Sequence, residues 1–182
     1  MSERNTVLRA MHDLGGAAWF GGSLMGAVGL NGAASDVTDP ADRARVAAAG
    51  WARWAPVNAA AIGVHLVGGL GLLLANRSRV AKQSGVGANT TVKTALSVIA
   101  AGATAYSGVL GTKVAQGGRT HAEAATTPSN HTPPEVSSAQ QQLRIVQWAI
   151  PVLTGIIMIL GSQQGEQQRP TQVLRGLANK VN

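Results

Sequence analysis

The chain has 182 residues, enough for one ordinary domain, and no cysteine, which removes disulfides, thiolate metal sites and cysteine nucleophiles from consideration. Only 13% of its residues are charged, about half the share of a typical soluble domain, and the net charge is +7. Where the charges fall excludes more than their number does.

All 23 Lys, Arg, Asp and Glu residues lie outside four windows, 14–35, 54–76, 94–112 and 145–165. A helix that crosses the hydrocarbon core needs roughly 20 mostly apolar residues. A soluble helix would show a charged face every turn or two. The windows therefore predict an all-α fold, a four-helix transmembrane bundle forming one integral membrane domain over 1–182. A soluble Ala/Gly-rich bundle is the competing reading. Trp51 and Trp54 near the start of the second run and Trp148 near the start of the fourth sit where an interfacial aromatic belt would place them, and favour the membrane.

The first run is preceded by Arg4 and Arg9 and ends in "GAAS" (32–35), as a cleaved signal peptide would. A signal's apolar region is usually about 7–15 residues, and this run is longer. Gly15, Ala18, Gly22, Gly26, Gly29 and Ala33 recur at spacings of three or four. Such a stripe, with its small-xxx-small pair Gly22/Gly26, predicts close packing against another helix. His12 and Asp13 are expected to mark the cytoplasmic membrane boundary.

"TDPADRARVAAAGWARW" (38–54) reads as a short outer interfacial helix. Asp39 can cap it, Pro40 suits its first position and Asp42 favours its first turn. Pro56 is then expected to kink the chain as the second span begins.

The second run contains "AIGVHLVGGLGLLLANR" (61–77), whose one ionisable residue before Arg77 is His65, eleven residues from each end of its window and so near the bilayer midplane. An intramembrane ionisable group is a candidate functional site, although neutral imidazole is the cheapest such group to keep there. Thr104 and Thr154 fall at the midpoints of the third and fourth spans. A layer of His65, Thr104 and Thr154, hydrogen-bonded between helices, is the structural reading and is preferred. Haem is the sharpest alternative, because a b-type haem in a bundle needs histidines at similar depth on different helices. With His12 at the membrane edge and His121 and His131 in the external loop, none is expected to meet His65 within one chain. Only a pair of His65 residues across a dimer would serve, and no cofactor is expected.

The connection 113–144, with its core "RTHAEAATTPSNHTPPEVSSAQQQ", is rich in Thr, Ser, Pro and Ala and reads as a flexible external loop. His121, Glu123, His131 and Glu135 are weak metal candidates whose spacing matches no motif. No serine has a histidine–carboxylate partner in view, so no enzyme activity is expected. In the cytoplasmic tail 166–182, Val173, Leu174, Leu177 and Val181 share a face at helical spacing, with Arg175 and Lys180 elsewhere. That is the pattern of a basic helix lying on the leaflet, and a solvated tail fits equally well.

Four spans put the N-terminus, the 77–93 loop and the tail on one side, with nine Lys/Arg against six on the other. The positive-inside rule then places both termini in the cytoplasm of a bacterial cell. Topology and anionic lipid account for the basicity, so no nucleic-acid partner is needed.

With "MHDLGGAAWFGGSLMGAVGLNGAA", "GWARWAPVNAAAIGVHLVGG" and "QWAIPVLTGIIMILGSQQGEQQRP", the chain resembles small four-span membrane proteins of unknown function from high-GC actinobacteria. More distantly, the histidine followed by Trp-x-Gly-Gly in the first span is similar to the opening of copper-resistance D-type membrane families. The Met and Cys clusters of copper handling are missing, so no copper ligand is carried over. The resemblance implies a plasma-membrane protein and supplies no activity. The sequence thus points to a non-catalytic packing or accessory component, as a homo-oligomer or within a larger membrane complex. A haem- or metal-binding redox protein centred on His65 is one alternative. A small oligomeric transporter or channel is the other, weakened because no charged residue lies inside any window.

Overall fold

The computed structural model describes residues 5–77 and 84–166. Helix α1 (Thr6–Met25) passes through a π turn (Gly26–Leu30) into the short α2 (Asn31–Ser35) as one continuous leg. Helix α3 (Pro40–Ala75) returns beside it, followed by α4 (Ser84–Gln116), a two-stranded antiparallel hairpin of β1 (Ala122–Ala124) and β2 (Thr127–Pro128), and α5 (Pro134–Glu166). The first leg packs against α3 and α5, and α4 packs against both of these in turn, so the four legs close a ring.

Three of these helices are long and apolar enough to cross a membrane: Pro40–Ala75, Ala88–Gln116 and Pro134–Gln163. The first leg is not among them. Arg9, His12 and Asp13 lie within α1 and dilute its apolar character. At this coarser level the expectation of a helical membrane bundle holds, with three candidate spans where the charge pattern gave four. Large apolar side chains face outward on every leg, among them Leu14, Val28, Val67, Leu74, Val98, Ile99, Ile145 and Val152. An outward apolar surface of this extent fits contact with lipid tails.

The buried residues form separate layers. Trp19, Ala100, Ile150 and Ile157 fill the middle of the bundle, with Leu96, Val146 and Leu153 against them. A second cluster of Ala44, Leu110, Val114, Ala122, Val136, Ala139 and Leu143 lies at the hairpin end.

Two expectations are corrected. The outer helix over 38–54 is not a separate element, because α3 runs unbroken through Pro56. Its start is as the sequence suggests, with Asp39 Oδ1 accepting from the Ala41 N–H at 2.9 Å. Pro56 deletes one helical hydrogen bond, but it sits on an exposed side of α3 while Trp51 and Trp54 are seated against Gly26 and Gly22 of the first leg. Those side chains anchor the turns before the proline to the first leg.

The segment 113–144 is built rather than floppy. Helix α4 continues to Gln116, Gly118 turns the chain at φ 63°, and α5 already begins at Pro134. Small residues at 122, 124 and 125 let the hairpin drop onto the helix ends, with Ala122 and Ala125 buried. Fully buried Gln140 donates to the Ala125 carbonyl at 3.1 Å, and Arg43 donates to the Glu123 carbonyl at 2.9 Å. Arg119 pairs with Asp39 and Asp42, tying the end of α4 to the start of α3. Composition alone hides this, because Ala, Ser and Thr carry little hydropathy yet pack closely. The expected tail helix, from Val173 to Val181, lies outside the described residues.

Candidate functional site: a reciprocal histidine clasp

Legs α1 and α3 are antiparallel, and their contacts align His12 with His65, Gly22 with Trp54 and Gly26 with Trp51. This register offsets the two charge-free windows along the bundle. Residue 14, where the first window opens, lies level with the middle of the second. His12 therefore lies level with His65, not apart from it as its position before the window suggests.

The two imidazoles stack, with ring centroids 4.0 Å apart and planes 21° from parallel. His12 Nδ1 lies 3.0 Å from the His65 carbonyl oxygen, and His65 Nδ1 lies 2.8 Å from the His12 carbonyl oxygen. A carbonyl oxygen only accepts, so both Nδ1 atoms carry the hydrogen. Each ring thus donates to the backbone of the helix opposite, in a reciprocal pair of hydrogen bonds.

The local sequences explain the symmetry. "HDLGG" (12–16) and "HLVGG" (65–69) are the same H-x-x-G-G pattern on the two helices. The first glycine of each is where the backbones nearly touch. A Cβ on Gly15 would lie 2.6 Å from the Ala61 oxygen, and one on Gly68 would lie 2.5 Å from the His12 nitrogen. The second glycine of each makes room for the opposite ring. A Cβ on Gly16 would lie 2.9 Å from His65 Nδ1, and one on Gly69 would lie 3.0 Å from His12 Nδ1.

Two neighbours complete the site. Lys93 Nζ of α4 lies 3.4 Å from His12 Nε2, and an ammonium has no acceptor, so that nitrogen presents its lone pair. The Trp19 ring meets His65 edge-on at 5.9 Å, while its indole N–H donates to Thr104 Oγ1 at 3.1 Å. His65 is 2% exposed and His12 half-buried.

The expected layer of His65, Thr104 and Thr154 is not hydrogen-bonded to itself. Thr104 serves Trp19, and Thr154 donates to the Ile150 carbonyl of its own helix at 2.8 Å. Gly22 and Gly26 face Trp54 and Trp51, whereas the π turn adds a residue and leaves Gly29 against only Met25 of its own leg. In the hairpin region the His121 and His131 rings meet edge-on at 6.3 Å, and the Glu123 carbonyl is held by Arg43. Among the described residues no three His, Asp or Glu side chains come together in a way that could hold a metal ion.

The clasp does not fit a haem. Two axial imidazoles must oppose their nitrogen edges across the iron, whereas these rings lie face to face with each Nδ1 committed to a carbonyl. A dimeric ligation through His65 would require a ring that is 2% exposed to leave the bundle.

What the fold and the site define is a helical bundle with membrane-length apolar helices, two of its legs joined by a histidine clasp. No protein-family model matches the chain, and neither the curated proteins nor the solved structures provide a match.

Proposed function

We propose that this chain is a four-span integral protein of the bacterial plasma membrane, with both termini cytoplasmic, acting as a non-catalytic structural or accessory component. The observation that carries the reading is the use made of its one deeply buried histidine. His65 spends its Nδ1 hydrogen on the backbone of the neighbouring leg, and His12 does the same in return. Both rings act as fasteners between helices, which in lipid depend on packing and hydrogen bonds for association. The outward apolar side chains of all four legs, and the excess of Lys and Arg on the side of the termini, support the membrane setting and its orientation.

Two measurements test it. Cysteines placed singly at Asn130, exposed beside the hairpin, and at Arg77, exposed beyond α3, should differ towards an impermeant maleimide on intact cells. Labelling at 130 and protection at 77 is the expected result, and the reverse would overturn the orientation. The purified protein should show no Soret absorption, and a Soret band lost on substituting His65 would replace this reading with a redox one.

A further inference from the structure

Apart from the clasp, polar groups of three legs converge at the hairpin end of the bundle. At the hairpin end, a cleft of about 350 Å³ opens between the π turn, the hairpin and α5, lined by Val28, Asn31, Thr126, Arg144, Gln147 and Trp148 among others. A run of hydrogen bonds leads into it with a fixed direction. The Trp51 indole can only donate, and it donates to Asn31 Oδ1 at 3.0 Å. The amide of Asn31 is thereby oriented so that its Nδ2 donates to Gln147 Oε1 at 2.7 Å. Gln147 is in turn oriented with its own amide nitrogen left over. That nitrogen has no protein acceptor among the described residues, although Gln147 is only 5% exposed. The relay therefore ends on a donor at the cleft wall.

Arg144 lies one turn before Gln147 on α5. It is exposed, lines the same cleft and forms no ion pair among the described residues. No carboxylate lines the cleft. A guanidinium and an oriented amide donor together call for an anion with several acceptor oxygens. Apart from Ser35 and Thr126, the remaining wall is apolar or small. Trp148 starts a stripe with Val152, Ile156 and Ile159, spaced four, four and three along α5 and all exposed. A ligand that fits both halves has an anionic head and long apolar chains.

We propose that this cleft binds the phosphate of a membrane phospholipid, held by Arg144 and the Gln147 amide, with acyl chains lying along Trp148, Val152, Ile156 and Ile159. The assignment rests on the membrane reading above and adds a lipid-specific site on the side of the bundle that carries the hairpin. The test is thermal unfolding of the detergent-purified protein, followed by helical circular dichroism while phosphatidylglycerol is titrated in. Wild type should be stabilised saturably. Arg144→Gln should need roughly tenfold more lipid for the same shift, as expected when one charge-assisted hydrogen bond is lost. Gln147→Glu keeps the acceptor for Asn31 but turns the donor into a repelling carboxylate, and should weaken the response at least as much. Arg53→Gln, an exposed arginine on α3 outside the cleft, should respond as wild type. If inorganic phosphate reproduces the full shift, the lipid assignment is overturned in favour of a free anion. Equal responses from wild type, Arg144→Gln and Gln147→Glu would remove the site altogether. Resistance of the protein to extraction by alkaline carbonate is read separately. Its failure would take down the membrane reading, whereas a membrane-resident protein without the lipid preference takes down only this site.

Discussion

His12 and His65 each donate from Nδ1 to the other's backbone carbonyl, at 3.0 and 2.8 Å, across two antiparallel helices. The exchange ties side chain to main chain in both directions, so sliding α1 along α3 breaks both bonds at once. Register between the legs is set at this point.

The first prediction follows from that coupling. His12→Leu and His65→Leu should each cost about 0.6–2 kcal/mol, the usual range for an interhelical hydrogen bond in a membrane protein. The rings also stack on one another, so the double variant should cost less than the sum of the singles, by about 0.5 kcal/mol or more. Unfolding by sodium dodecyl sulfate in mixed micelles measures all three. Strict additivity would mean that the two histidines do not act as a unit.

The glycines of the clasp make a sharper contrast. A Cβ at Gly15 or Gly68 meets backbone atoms of the opposite helix, which cannot step aside as a side chain can. Gly15→Ala and Gly68→Ala should destabilise by about 1–3 kcal/mol through overpacking. At Gly21, Gly63 and Gly102 a Cβ would meet nothing within 4 Å. Alanine at those positions should be neutral, or stabilising by up to about 1 kcal/mol through helix propensity. Equal losses at both sets would show that helix quality, not close approach, governs the response.

Further along the same interface the glycines accommodate rings. Gly22→Leu collides with the Trp54 indole, and shortening that indole should make room again. The expected order of melting temperature is Gly22→Leu lowest, with Gly22→Leu/Trp54→Ala partly restored. Gly29→Leu should be tolerated, since the π turn has rotated residue 29 away from α3. A loss at 29 as large as at 22 would contradict the register that sets Gly22 against Trp54 and Gly26 against Trp51.

The hairpin gives a fourth prediction. Gln140 donates to the carbonyls of Ala124 and Ala125, and no other side chain replaces it there among the described residues. Gln140→Ala should leave the buried Ala125 carbonyl unpaired, costing about 1–3 kcal/mol locally. Limited proteolysis should cut wild type slowly within 117–133 and the variant quickly. Rapid cutting of both would return this segment to the flexible loop that its composition suggests.

The sequence by itself determined the helical class and three of the long apolar runs, in α3, α4 and α5. Charge is cheap to place in water and expensive in hydrocarbon, so its exclusion from long windows is visible without coordinates. It also determined the Asp39–Pro40 helix start, because a cap acts over three or four residues of contiguous chain. Only the tertiary structure decided which charge-free windows lie level with one another. That choice depends on glycine-to-backbone fit between residues some fifty positions apart, and hydropathy is blind to it. The H-x-x-G-G pattern at 12–16 and 65–69 is too short to stand out as a repeat in the sequence, and it acquires meaning only because the two copies face each other head to tail. The cleft at Arg144 was hidden for the same reason. Asn31, Gln147 and Trp51 form a directed relay only after three separate legs converge, and direction in a hydrogen-bond chain is a property of the assembled geometry.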